Sequence, residues 1–311
     1  MNEATGASPD QPQSAPEQKI DPADIASVMV AIRKGDDDEI KKALSAHVQA
    51  LVAKHKMDKY KLIILFDEKD EISNWHADRI YSAATGGESK DILLVIHSTG
   101  GSVEAAYLIS KTCIRLSKVN FVVAVPRKAK SAATLISLGA DEIHMGLMSE
   151  LGPIDPQFGG FPALAMQNAL RLLADLSCKY PGSSEMWGRF LSEKLDLRIL
   201  GYFERVSESA VQYAERLLEG KVLPKGQTPK VLADHFVNHY KDHGFVIDAD
   251  EAKKLLGDKI AKQNTAEYRF ANELHGSLDL VKVFLDFIGN KDYDYVGGVE
   301  DGIVIRKKKE R

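Results

Sequence analysis

Three apolar runs limit what this chain can fold into: KLIILFDE (61–68), DILLVIHS (91–98) and NFVVAVP (120–126). Each is almost continuously hydrophobic and rich in branched residues, as strands are when both faces of their sheet are covered. Between them lie helical patterns, from Ser73 to Ala84 and over SVEAAYLISKTCIRLSK. A further helix is expected from about Ser131, followed by a short strand at EIHMG. Strand and helix alternating in this way predict right-handed crossover units on a parallel sheet, an α/β fold.

Around these units the chain changes character. Residues 1–20, rich in Pro, Gln, Ser and Ala, cannot bury enough surface to order themselves and read as a disordered leader. Residues 21–56 read as a helical arm with a break at Gly35, and 57–160 as the α/β core. Long helical segments over 161–288, notably WGRFLSEKLDLRILGYFERVSESAVQYAERLLEG, complete that core. A C-terminal tail, 289–311, contains a small hairpin in DYDYVGGVEDGIVIRKKKER and ends in a solvated basic run.

Composition excludes several classes. A formal charge of −4 leaves no basic stripe for nucleic acid. Cys113 and Cys178, the two cysteines, make neither a disulfide framework nor a thiolate metal site. No run approaches the roughly 20 apolar residues that span a bilayer. The N-terminus also lacks the basic start and apolar core of a secretory signal, so a cytoplasmic location is expected.

Two junctions carry chemistry. In HSTGGSVEAA (97–106), Gly100 and Gly101 come straight off a buried strand, and Ser102 can cap the next helix. Paired glycines let backbone N–H groups face a ligand without side-chain obstruction; a plain strand-to-helix turn is the simpler reading. A further glycine for a dinucleotide fingerprint is missing, and no Gly-Lys-Ser/Thr follows, so no nucleotide cofactor is expected. The second junction is Ser131, between NFVVAVP and a tightly packed helix. A serine there is ordinarily an N-cap, but small residues at Ala132 and Ala133 would let a substrate approach its hydroxyl.

The blocks STGGSVEAAYLI, VPRKAKSAATLISLGADEIHM and SELGPIDPQFGG, in that order, resemble the Clp-protease/crotonase superfamily. Within it the chain is most similar to the serine dehydrogenase proteinase family, a relative of the signal-peptide peptidase A group. The resemblance covers roughly residues 60–160 and continues more weakly to HGFVIDADEAKKLLG (243–257). It implies stacked βαβ units with a helical C-terminal region and a Ser131 nucleophile forming an acyl-enzyme with a peptide or protein substrate. It further implies an oxyanion hole at Gly100, Gly101 and Ala132, and a homo-oligomer. A bulky residue at Gly101 is then expected to lower turnover far more than stability.

The family's order of Ser, Asp and His implies Asp155, in GPIDPQ, and His243, in HGFVIDADEA. Asp141 competes as the acid, although a turn or strand-edge contact suits it better. In Clp-type relatives the loop at 149–160 supplies the histidine instead, and signal-peptide peptidase relatives use a lysine, so another histidine or Lys130, Lys179 or Lys194 stays open as the base. His235, His239 and His243 would share one face if a helix ran through VLADHFVNHYKDHG. That spacing can bind zinc, but no acid lies between them as in a metalloprotease helix, so no metal is expected. Two other functions remain open: a catalytically silent peptide-binding relative and a crotonase-like acyl-CoA enzyme.

Overall fold

The computed structural model describes residues 24–158 and 161–308. The expected leader, 1–20, lies outside the described residues. Two helices come first, α1 (Ile25–Lys34) and α2 (Asp37–His55). They break at Gly35, which ends α1 at φ 78° and gives its N–H to Ala31 and Ile32, while the Asp36 carboxylate caps α2.

Crossover units follow in chain order: β1 (Tyr60–Asp67), α3 (Asn74–Thr85), β2 (Asp91–Ser98), α4 (Val103–Leu116), β3 (Phe121–Ala124), β4 (Lys128–Ala129), α5 (Ala132–Leu138) and β5 (Glu142–Met145). Short strands β6 (Glu150–Leu151), β7 (Gln157–Phe158) and β8 (Phe161–Pro162) lead into α6 (Ala163–Lys179), α7 (Ser184–Lys194) and α8 (Leu197–Leu218). The remainder is α9 (Pro229–Asp234), a π-helical turn (His235–His239), α10 (Ala249–Leu256), β9 (Ala261–Gln263), α11 (Ala266–Gly289), β10 (Lys291–Gly297) and β11 (Ile303–Lys307).

The main sheet runs β11-β10-β1-β2-β3-β5-β9, parallel from β1 to β9, with β4 paired to β2 and β6 to β4. Alternation divides its strands between two cores. Ile63, Leu65, Leu94 and Ile96 meet α4, α5, α8 and α9 on one face. Leu62, Ile64, Phe66 and Leu93 meet α1, α2 and α11 on the other. The helical arm is therefore part of the second core, with Val28, Leu44 and Val48 fully buried.

Two regions add to the expectation. The hairpin expected after 289 forms, β10 with β11, but it is part of the main sheet: β10 pairs antiparallel with β1, and Tyr293 and Tyr295 are buried. Without it β1, apolar from Leu62 to Phe66, would be an open sheet edge. The long helical segment after Trp187 breaks at Leu195, because the Asp196 carboxylate accepts the Arg198 N–H at 2.8 Å and starts α8 anew.

Candidate active site

Everything that surrounds Ser131 hangs from the C-terminal end of β2. Ser98 pairs with Ala129, and the Lys130 N–H donates to the Ser98 carbonyl at 3.1 Å. The chain then turns sharply: Ser131 has φ 52° and ψ −118°, and the Ala133 N–H closes onto the Lys130 carbonyl at 2.8 Å. Those values are the first central position of a type II′ turn, where glycine is the ordinary occupant. A non-glycine residue there costs about 1–3 kcal/mol, a strain that collects at functional sites. Ser131 occupies the N-cap position of α5, yet its side chain makes no capping bond, which leaves the hydroxyl free of that structural role. Every residue of α5 is buried, and Thr134 ties its first turn to both Ala129 (2.6 Å) and the Gly152 N–H (3.0 Å).

The glycine loop lies directly against this corner. At Gly100, φ is 112°, and a Cβ would come within 2.7 Å of Ser131 Cβ and 3.2 Å of the Ala132 nitrogen. Gly101, at φ 149°, would place a Cβ 2.2 Å from the Ile72 nitrogen. It forms a bridge with Ile72, whose N–H donates to Gly100 O and whose carbonyl accepts from Ser102, both at 2.8 Å. The expectation that a bulky Gly101 spares stability is therefore corrected: backbone stands where the side chain would go. The three N–H groups are also not equivalent. That of Gly100 donates to Ser98 Oγ at 3.2 Å, whereas those of Gly101 and Ala132 have no hydrogen-bond partner among the described residues.

Asp155 and His243 meet, with Asp155 Oδ1 2.5 Å from His243 Nδ1. A carboxylate only accepts, so Nδ1 carries the proton and Nε2 is left as the basic nitrogen. Asp155 is buried and His243 half-buried. His243 arrives on a strap, residues 240–247. The condition for a shared face of His235, His239 and His243 is not met, because the π turn ends at His239 and Tyr240 is extended, so His243 leaves the face that His235 and His239 share. Tyr240 anchors one end of the strap, stacking on Phe245 and donating to Glu251 at 2.7 Å. Ile247 anchors the other, exchanging backbone bonds with Leu151. No hydrogen bond joins Ser131 to His243 among the described residues.

The competing groups are engaged elsewhere. Asp141 accepts the Phe121 N–H at 2.8 Å, at the N-terminal edge of the sheet and away from Ser131. Lys130 pairs with Glu150 at 2.8 Å, Lys179 lies over the Tyr180 ring, and Lys194 ends α7, which buries none of its residues. His144 is buried against Thr265 and Glu142.

One group behind the corner has no local signature in sequence. His97 Nε2 meets Glu68 at 2.8 Å, Glu68 meets Lys282 of α11 at 2.6 Å, and His275 of α11 packs edge-on against His97. Burial works against the Glu68 charge, but Lys282 and His97 outweigh it and hold its pKa at about 2. Burial likewise lowers His97, with Glu68 opposing. His275 falls to about 4, through burial first and then His97 and Arg127. At the end of β1, Asp67, Asp70 and Asp294 bring carboxylate oxygens within 4.8 Å of one another. His76 pairs with Asp67, and Arg306 with both Asp70 and Asp294.

A strained serine between a strand and a buried helix, with free backbone N–H groups beside it, is the general layout of a serine hydrolase. Residues 76–174, just under a third of the chain, match the family of ClpP-like SDH-type serine proteinases. Two uncharacterized proteins of Methanocaldococcus jannaschii are similar: one is 42% identical over 83 residues (27% of this chain, 29% of its own), the other 38% over 82 residues (26% and 28%). The chain thus spans less than a third of the length of these curated relatives. Among solved structures, the 1510-N membrane-bound stomatin-specific protease aligns with a TM-score of 0.41 and 16% identity, over 70% of this chain and 84% of that one. Among the described residues, no helix is long and apolar enough to cross a membrane.

Proposed function

We propose that the protein is a serine peptidase that cleaves peptide bonds through an acyl-enzyme on Ser131. The observation that carries this reading is the 2.5 Å Asp155–His243 pair, with the His243 strap joined through Lys130 to the residue before a positive-φ serine that is pressed against Gly100. In the first half-reaction, Ser131 Oγ attacks the carbonyl carbon and His243 Nε2 takes the hydroxyl proton. Asp155 holds the imidazolium, and the N–H groups of Gly101 and Ala132 receive the developing oxyanion. His243 then gives its proton to the leaving amine as the C–N bond breaks. Water, deprotonated by the same nitrogen, hydrolyses the ester and restores Ser131.

Exposed apolar side chains at Leu172, Met186, Phe190 and Tyr202 support assembly into a homo-oligomer, which light scattering would read directly. The catalytic reading is tested by intact mass after treatment with a fluorophosphonate. A single adduct on wild type, absent from Ser131→Ala, is the expected result. No adduct on folded wild-type protein would overturn it and assign the groove to peptide binding without hydrolysis.

A further inference from the structure

We propose that Lys130 is a positioning residue that ties the strap carrying His243 to the strand that delivers Ser131; the proposal rests on the serine-peptidase reading above. Positive φ turns the Ser131 side chain out of the strand direction, while its neighbour runs back beneath the corner. The Lys130 stem crosses Gly152, where a Cβ would stand 2.6 Å from Lys130 Cδ. Glycine there keeps the path open. Beyond it the ammonium reaches three acceptors: Glu150 Oε2 at 2.8 Å, the Phe245 carbonyl at 3.1 Å and the Leu151 carbonyl at 3.3 Å. These belong to β6 and to the strap, so one side chain joins the serine's strand to both neighbours.

The strap has little else to hold its middle. Between its anchored ends, Phe245 and Val246 are exposed, and the bonds of Gly244 and Phe245 back to Asp242 are internal to it. Among the described residues, two hydrogen bonds join residues 241–246 to the body: Asp155 to His243 and Lys130 to Phe245. The first fixes the imidazole's tautomer; the second, two residues on, fixes where the ring sits relative to Ser131. An ammonium suits this work because its three N–H donors point apart. With all three taken, and a carboxylate among their acceptors, Lys130 serves as a tether and not as the base.

The test compares fluorophosphonate labelling rates in wild type, Lys130→Met, His243→Ala and the double variant. A tether acting through His243 predicts about tenfold slower labelling in Lys130→Met, and less than about twofold further change when His243 is already absent. Equal losses in both backgrounds would mean a general structural role, and no loss with His243 present would sink the tether. Hydrogen exchange over 241–246 supplies a readout independent of chemistry: faster exchange confined to the strap is expected, and unchanged exchange overturns the proposal. Should Lys130→Met fail to fold, Glu150→Gln, which loosens the ammonium, must show the same pattern more weakly or the proposal falls. Absence of any adduct on wild type would refute the peptidase reading itself, while the exchange experiment would still decide the tether.

Discussion

Ser131 and His243 are supported in different ways. The corner around Ser131 is backbone: strand pairing at Ser98, a closed II′ turn, the Gly100–Ile72–Ser102 bridge and a wholly buried helix. The strap around His243 has a backbone anchor at Ile247 but is otherwise held by side chains: Tyr240 at one end, Asp155 and Lys130 in the middle, and an exposed stretch between. A backbone-built site is positioned by folding itself, so disturbing it disturbs the fold. A side-chain-built site can be loosened while the fold stands. Under the proposed mechanism, this division puts the nucleophile and the oxyanion donors on the rigid partner and leaves the base on the adjustable one.

The sharpest way to break this contrast is at the two ends of the proposed proton path. Asp155→Asn keeps the shape but favours the wrong imidazole tautomer, and should slow labelling of Ser131 by about 10³–10⁴-fold while stability changes by less than about 1 kcal/mol. Unchanged labelling would remove Asp155 and His243 from the chemistry. Ser131→Gly should give no adduct at all, yet fold at least as stably as wild type in urea. Relief of about 1–3 kcal/mol of strain outweighs the lower entropy that serine gives the unfolded chain, about 0.5–1 kcal/mol. A clear loss of stability would mean that the turn is not strained.

Next in size, Gly101→Ala should destabilise by about 3 kcal/mol or more, since its Cβ has backbone in its way and its φ is unfavourable. Equal urea midpoints for wild type and variant would show that the corner yields, against the contrast drawn here. The smallest expected effect sharpens the view of what lies behind the corner. His275 is held neutral, with His97, Glu68, Arg127 and Lys282 around it. Its folded pKa, about 4, lies below the unfolded value near 6.5, so its contribution is full above pH 6.5 and is lost as pH falls toward 4. The loss should be on the order of 1–2 kcal/mol, discounted for the ring's partial exposure. His275→Phe should flatten that acid slope in denaturation curves taken at several pH values, and an unchanged slope would assign it to other groups.

Much of the corner was readable from local pattern. Apolar runs at 61–68 and 91–98 predicted strands that end within a residue of β1 and β2, and the Gly-Gly at 100–101 and the small residues after Ser131 marked a junction open to a ligand. Ser131 as an ordinary N-cap was also a fair reading of the residue type; its φ of 52° was not legible, because serine seldom adopts it. The strap was less legible. Asp155 and His243 were named through a family resemblance, and the four-residue spacing of His235, His239 and His243 gave no sign that the π turn ends at His239. The cluster of Glu68, His97, His275 and Lys282 had no local signature.

By itself, then, the sequence determined the crossover units, the glycine loop and the place of the serine, because these depend on hydrophobic period and on residues a few positions apart. Tertiary structure alone decided that a C-terminal hairpin closes the edge of β1, that Asp155 reaches a histidine 88 residues away, and that Lys130 reaches Phe245. Such contacts form only when burial of distant apolar surface repays the entropy of closing long loops, and no short window of sequence carries that balance.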